Sequence, residues 1–149
     1  MIDDKRHPHQ RESVQEYPRS PRVEDIYCRI QVRLGDEVVA DSSRAKRVVE
    51  RGHPPVYYIP PGDIRPGVLW DVPRNVQCGD KGLARFYDVV AGQKHARCAA
   101  WSYPEPRPGF ENIKDYVAFY PAKMDGCYVD NEQARPEQAP EPERPELPE

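Results

Sequence analysis

The chain has 149 residues and a mass of 17.2 kDa, with 18 prolines, 38% hydrophobic and 32% charged side chains. That size admits one domain and excludes a large enzyme with a separate cofactor domain, while the proline and charge load points to segments that pack nothing. The formal charge of −3 arises at the ends, +1 over residues 1–22 and −4 over residues 131–149, so the middle is neutral and no basic nucleic-acid face is indicated.

Residues 1–22 carry five basic and four acidic side chains with three prolines, and almost no apolar residue after Ile2. Without apolar surface to bury, such a segment cannot offset about 1–2 kcal/mol of ordering entropy per residue, so it reads as a disordered tail. Residues 23–130 read as a single β domain. Ile26, Cys28, Ile30, Val32 and Leu34 alternate with Tyr27, Arg29, Gln31 and Arg33, the period of a strand with one buried face. Gly35-Asp36 makes a tight turn and Glu37 to Asp41 returns as the hairpin partner. Ser43 to Glu50 is a further strand candidate, with a helical turn open at its basic start. Val56-Tyr57-Tyr58-Ile59, framed by Pro54-Pro55 and Pro60-Pro61, reads as an edge strand.

Pro61 to Val76 is turn-rich, with Ile64, Val68, Leu69 and Trp70 available as anchors. Gly82 to Val90 reads as a strand, Ala91-Gly92-Gln93 as a turn and Lys94 to Tyr103 as its partner, a register that sets Leu83 opposite Trp101 and brings Lys81 near residues 101–103. Phe110, Ile113 and Val117 fall at helical spacing, so one short helix is expected over Phe110 to Tyr116. Val117 to Tyr120 and Cys127 to Val129 close the domain as short strands. Residues 131–149, with six glutamates and five prolines, read as a second disordered tail.

The segments Val32-Arg33-Leu34-Gly35-Asp36-Glu37-Val38-Val39-Ala40-Asp41-Ser42, Pro54-Pro55-Val56-Tyr57-Tyr58-Ile59-Pro60, Cys78 with Lys81-Gly82-Leu83-Ala84, Ala100-Trp101-Ser102-Tyr103-Pro104-Glu105-Pro106 and Tyr116-Val117-Ala118-Phe119-Tyr120 occur in one order. That series resembles the domain-of-unknown-function 427 family, which also carries a nucleotidyltransferase-like label, over roughly residues 29–126. The resemblance implies a mainly β, compact antiparallel, two-sheet β-tent-like (Mss4-like) domain, the sheets leaning together over a pocket. The chain departs from the family pattern at Gly79-Asp80, where a proline and an aromatic residue are usual.

Candidate chemistry centres on three features. Cys78 stands three positions before Lys81 on a glycine-flanked turn, where a cation lowers a thiol pKa towards reactivity, although Asp80 between them offsets it. The Gly79-Asp80-Lys81-Gly82 turn is a candidate anion nest. Tyr58, Tyr87, Trp101, Tyr103 and Tyr120 are suited to the wall of an aromatic pocket. Phosphoryl transfer would call for paired carboxylates or a phosphate loop, and the sequence has neither a D-x-D pair nor G-x-x-x-x-G-K-[ST]. The expectation is a small-molecule-binding domain for an anionic or nucleotide-like ligand, with Lys81 and the Gly79 to Gly82 turn on the anion, Tyr58, Trp101 and Tyr103 on the flat part, and Tyr87 and Tyr120 as further ligand-binding residues. The alternative is a small enzyme with Cys78 or Lys81 catalytic.

The four cysteines, Cys28, Cys78, Cys98 and Cys127, stand 50, 20 and 29 positions apart without a C-x-x-C pair, so neither a metal site nor a cofactor is expected. No apolar run approaches the roughly 18 residues that span a bilayer, and the charged start lacks the apolar stretch of a signal peptide. A cytoplasmic protein with a small-molecule ligand, and with neither nucleic acid nor membrane as partner, is the expectation.

Overall fold

The computed structural model describes residues 14–79, 81–130 and 132–133, with the side chains of residues 73–79 outside the described set. The strands are β1 (Arg22–Asp25), β2 (Ile30–Leu34), β3 (Glu37–Ser42), β4 (Lys46–Glu50), β5 (His53–Tyr58), β6 (Leu69–Gly79), β7 (Gly82–Ala91), β8 (Lys94–Pro106), β9 (Val117–Phe119), β10 (Gly126–Val129) and β11 (Glu132–Gln133). Their pairing is antiparallel throughout, in three sheets ordered β1-β4-β5, β11-β10-β2-β3 and β6-β7-β8-β9. The mainly β antiparallel class is the expected one. Its strands divide among three sheets where two were expected.

Short backbone bridges tie the sheets together. Ile59 and Val117 exchange both N–H···O bonds at 2.8 Å, which docks the end of β5 on β9. Ile64 bridges Ala40 at the outer edge of β3, so the connection after β5 covers that edge. Asp63 holds this connection down, accepting from Ser42 Oγ at 2.7 Å and from the Arg44 guanidinium at 3.0 Å.

The β7–β8 hairpin is long, and both apolar clusters draw on it. Val89, Ala91, Ala99 and Ala100 join Ile30, Val32, Leu34 and Val39 in one cluster; Ala84, Phe86, Trp101 and Tyr103 join Val48, Tyr58, Ile113 and Tyr120 in the other. Along β7 the alternation holds, Ala84 and Phe86 on one face and Val89 and Ala91 on the other, but its pairing with β8 breaks twice, between Tyr87/Val89 and between Leu83/Arg85, where β8 carries extra residues. At the first, Cys98 adopts a φ of +47° and its displaced N–H is taken by Asp88 Oδ1 at 2.9 Å. The bond supplies the ladder partner that the bulge removes.

These bulges overturn the expected register. The turn is the two-residue Gly92-Gln93 with Ala91 opposite Lys94, and the extra residues on β8 then carry Leu83 to Glu105 and Gly82 to Pro106, while Phe86 faces Trp101. Residue 81 therefore lies beside Arg107, whose N–H donates to the Lys81 carbonyl at 2.9 Å, and not beside residues 101–103.

Other expectations are corrected by packing. The alternating segment from Ile26 is strand only from Ile30, because Ile26 turns inward beside the core while Tyr27 points out at 92% exposure. The helix expected at Phe110 to Tyr116 is a single 3-10 turn, Glu111–Ile113; Phe110 has no capping side-chain bond, and Asp115, at φ +65°, sends its N–H to the Tyr103 carbonyl at 3.1 Å. Of the turn-rich segment Pro61 to Val76, the part from Leu69 is the long β6, paired with β7. Trp70 is half exposed and holds the preceding turn by its indole N–H, which donates to the Gly67 carbonyl at 3.0 Å, and not by burial.

Order also extends past both expected tail boundaries. Tyr17 is buried, its ring under the Arg47 guanidinium at 5.8 Å, and the Pro18 carbonyl accepts from Arg51 N–H at 2.7 Å. Arg22 is already in β1 and Glu132–Gln133 pairs with β10. Residues 1–13 and 134–149, where the disordered tails were otherwise expected, lie outside the described residues.

Two hairpin tips meet at Gly35 and Gly92. Gly35, at φ +62°, leaves so little room that a Cβ there would overlap the Ala91 carbonyl oxygen. Asp125 locks the contact, accepting the Gly35 N–H at 2.6 Å with one oxygen and pairing Lys94 at 2.8 Å with the other. The Lys94 ammonium, followed by the Gly35 bond, holds the Asp125 carboxyl below its ordinary value. Gly35→Ala combines a left-handed backbone with a backbone overlap and is expected to cost on the order of 3 kcal/mol, read as a lower urea midpoint. An unchanged midpoint would show that the tips do not abut.

Candidate functional site

The structure brings four of the expected aromatic residues together. Trp101 and Tyr103, at i and i+2 on β8, share one face. They meet Tyr58 at the end of β5, with ring centroids 6.3 and 6.4 Å away, and Trp101 lies 4.5 Å from Tyr120. The Trp101 indole N–H donates to the Tyr58 hydroxyl at 3.2 Å. All four residues are at most 4% exposed, and apolar neighbours such as Val48, Phe86 and Ile113 surround them. Tyr87 is on the other face of the hairpin, where its hydroxyl bonds Ser102 Oγ at 2.9 Å and the Arg85 guanidinium sits 5.9 Å from its ring.

Lys81 and Gly82 stand at the far end of the hairpin. The Lys81 ammonium lies 6.0 Å over the Phe110 ring, and Phe110 in turn packs against the edge of the aromatic cluster. Gly82, at φ +126°, is required sterically: a Cβ would overlap the Glu105 carbonyl oxygen and stand 2.8 Å from Pro106 Cα. The Cys78 side chain lies outside the described residues, as does Asp80. Two other thiols are described in detail. Burial, then the Asp130 carboxylate, pushes Cys28 up to about 11, and burial alone pushes Cys127 up to about 12.

A separate feature appears at the opposite end of the hairpin, beside the abutting tips. The start of β8, the end of β2 and the turn after β9 enclose an open cleft of about 510 Å³. Leu34, Ala96, Ala122 and Met124 supply apolar lining; Lys94, His95, Arg97, Lys123 and Asp125 supply the polar groups. Three permanent cations thus face one carboxylate.

Each cation is positioned by the fold. Lys94 shares Asp125 with Gly35. Arg97 projects from the Cys98 bulge, exposed, with its guanidinium making no hydrogen bond or ion pair among the described residues. Lys123 sits on the 3-10 turn Pro121–Lys123, donates to the Arg97 and Cys98 carbonyls at 3.0 and 3.4 Å, and lies 5.6 Å over the Tyr120 ring. Its bonds go to neutral oxygens, so no carboxylate among the described residues offsets its charge. At the rim, His95 Nε2 is 2.7 Å from Asp88 Oδ2, and the half-exposed Trp70 ring stands 5.5 Å from the His95 ring.

Sequence reasoning reached Tyr120, which underlies Lys123, but missed the cleft. Its lining comes largely from residues 94–97 and 122–125, which are local neighbours only through the sheet. The available signal was the cation-rich Lys94-His95-Ala96-Arg97 at the mouth of a hairpin. Among the described residues, no group of three His, Cys, Asp or Glu side chains is placed to hold a metal ion, and no helix is long and apolar enough to cross a membrane.

A family model labelled NTP_transf_9 and described as "Domain of unknown function (DUF427)" matches residues 22–130. A search of curated proteins finds no match to the chain.

With pKa values near 11 and 12, Cys28 and Cys127 are protonated at neutral pH, and the thiol form is a poor nucleophile. Iodoacetamide at pH 7.5 should therefore modify both at least about tenfold more slowly in the folded protein than in urea. Equal rates, followed by peptide mass mapping, would show that the folded environment does not suppress them.

Proposed function

The chain belongs to the DUF427 family, and from the site geometry we propose that it is a binding domain for a small anionic molecule, held in the cleft between the start of β8 and the turn at residues 121–125. The observation that carries this reading is the convergence of Lys94, Arg97 and Lys123 on one concavity whose lining contains a single carboxylate, Asp125. Cations gathered in a concave, low-dielectric surface raise the local concentration of anions more than the same charges scattered over a convex one.

The division of labour follows from the bonds already made. Arg97 offers a planar fork of donors matched to two oxygens of a phosphate or carboxylate. Lys123 adds a point charge whose direction is fixed by the two carbonyls and the Tyr120 ring beneath it. Lys94 is shared with Asp125, which keeps it extended along the cleft wall. Leu34 and Met124, buried beneath, give the anion's neighbours an apolar floor. The aromatic cluster enters as a foundation, since Trp101 packs on Tyr120 and Tyr120 carries Lys123.

The alternative position is the turn before Gly82, with Lys81 as the counter-charge. Calorimetric titration with inorganic phosphate at low ionic strength separates the two. Arg97→Gln and Lys123→Gln, the second keeping a donor for the two carbonyls, should each weaken binding about tenfold or more, the scale of one charged hydrogen bond. Lys81→Ala should leave affinity unchanged, and the melting temperatures of all three should stay near that of the parent, because exposed charges contribute little to folding. Loss of binding in Lys81→Ala alone would move the anion to the other end of the hairpin. No binding by the parent protein would remove the reading.

A further inference from the structure

We propose that the anion this cleft receives carries an aromatic ring close to its charged group, and that Trp70 is the platform on which the ring stacks. The proposal rests on the anion-binding reading above and names the chemical class of the ligand. An aryl phosphate or an aromatic carboxylate has the required chemistry.

The first observation is an apolar surface left open. Trp70 is 50% exposed, one of two large hydrophobic side chains so exposed among the described residues, the other being Tyr27 in the connection between β1 and β2. An indole offers more apolar and polarisable surface than any other side chain, and in this protein the second tryptophan, Trp101, is buried almost completely.

The second observation is that the ring is held. Its indole N–H donates to the Gly67 carbonyl at 3.0 Å, which ties the ring edge to the turn before β6 and leaves its orientation set. His95 approaches at 5.5 Å with an interplanar angle of 62°, an edge-to-face contact that helps to fix the indole. His95 is in turn fixed by Asp88 at 2.7 Å, and Asp88 by the Cys98 N–H at 2.9 Å. A ligand ring settling on Trp70 thus meets a surface whose rotamer freedom is already spent, which reduces the ordering cost of binding.

The third observation is adjacency. His95 lines the cleft, and Arg97 follows two residues along β8, on the same face in strand geometry. Trp70 thus stands against His95, and His95 stands two residues before Arg97, whose guanidinium makes no hydrogen bond or ion pair among the described residues. Inorganic phosphate uses only the cationic end. Asp88 faces this row and is occupied by His95 and the Cys98 N–H, which keeps its charge turned towards donors of the protein.

Calorimetric titration of the full chain with phenyl phosphate and with methyl phosphate tests this, since the two share a charged group and differ in the ring. The parent protein should bind phenyl phosphate at least tenfold more tightly. Trp70→Ala should bring phenyl phosphate down to the methyl phosphate level, Trp70→Phe should keep most of the preference, and Arg97→Gln should weaken both ligands by the same factor. Equal affinity of the two ligands for the parent protein would overturn the aromatic platform and leave the anion site standing. So would a preference that survives in Trp70→Ala. Binding of neither ligand would overturn both.

Discussion

The structure depends on a hairpin that must bury both of its faces. β7 and β8 contribute to both apolar clusters, with Val89, Ala91, Ala99 and Ala100 against the β2–β3 sheet and Ala84, Phe86, Trp101 and Tyr103 against Tyr58, Val48 and Ile113. β7 does this by regular alternation, Ala84 and Phe86 to one side and Val89 and Ala91 to the other, while β8 carries extra residues in two bulges that leave backbone unpaired. The Asp88 carboxylate repairs the larger of them by taking the Cys98 N–H. Because the same carboxylate holds His95, the repair of the fold and the placing of the cleft rim are one arrangement.

The two ends of the hairpin have different characters as a result. At the closed end, Gly82 lets β8 cross so near to β7 that a side chain is excluded, and Lys81 lies over Phe110 beside a packed set of rings. At the open end, the tips at Gly35 and Gly92 abut, Asp125 joins them, and the space beside them is a concavity with a surplus of cations. The rings that the sequence offers as a ligand wall act structurally upon this concavity, through the contact of Trp101 with Tyr120 and of Tyr120 with Lys123.

Much of the fold was legible in the residues. The period-two pattern gave away β2, β7 and β8, Gly35-Asp36 marked its hairpin, and the run around Tyr57 marked β5. What could not be read was register. A bulge is a backbone event with no distinctive residue here, since Cys98 takes its positive φ without being glycine or asparagine. Missing those three extra residues, and setting Val90 opposite Lys94 where it faces His95, displaced Leu83 by four places, from Trp101 to Glu105, and with it the proposed meeting of Lys81 with Trp101. The cleft was hidden for a related reason. Arg97 and Lys123 are 26 residues apart and become neighbours only when β9 returns beside β8 and the following turn lands on the Arg97 and Cys98 carbonyls. The exposure of Trp70 was equally unreadable, because a tryptophan among Val68 and Leu69 has the composition of a core anchor.

The central claim is that the open end of the hairpin, and not its closed end, receives an anion. Amide chemical-shift mapping of the isotopically labelled full chain during titration with phosphate locates the site without substitution. The account predicts that the largest shifts fall on residues 94–97 and 122–125, with residues 81–82 and 107–110 unmoved. Shifts concentrated at residues 81–82 and 107–110, with 94–97 and 122–125 silent, would contradict it.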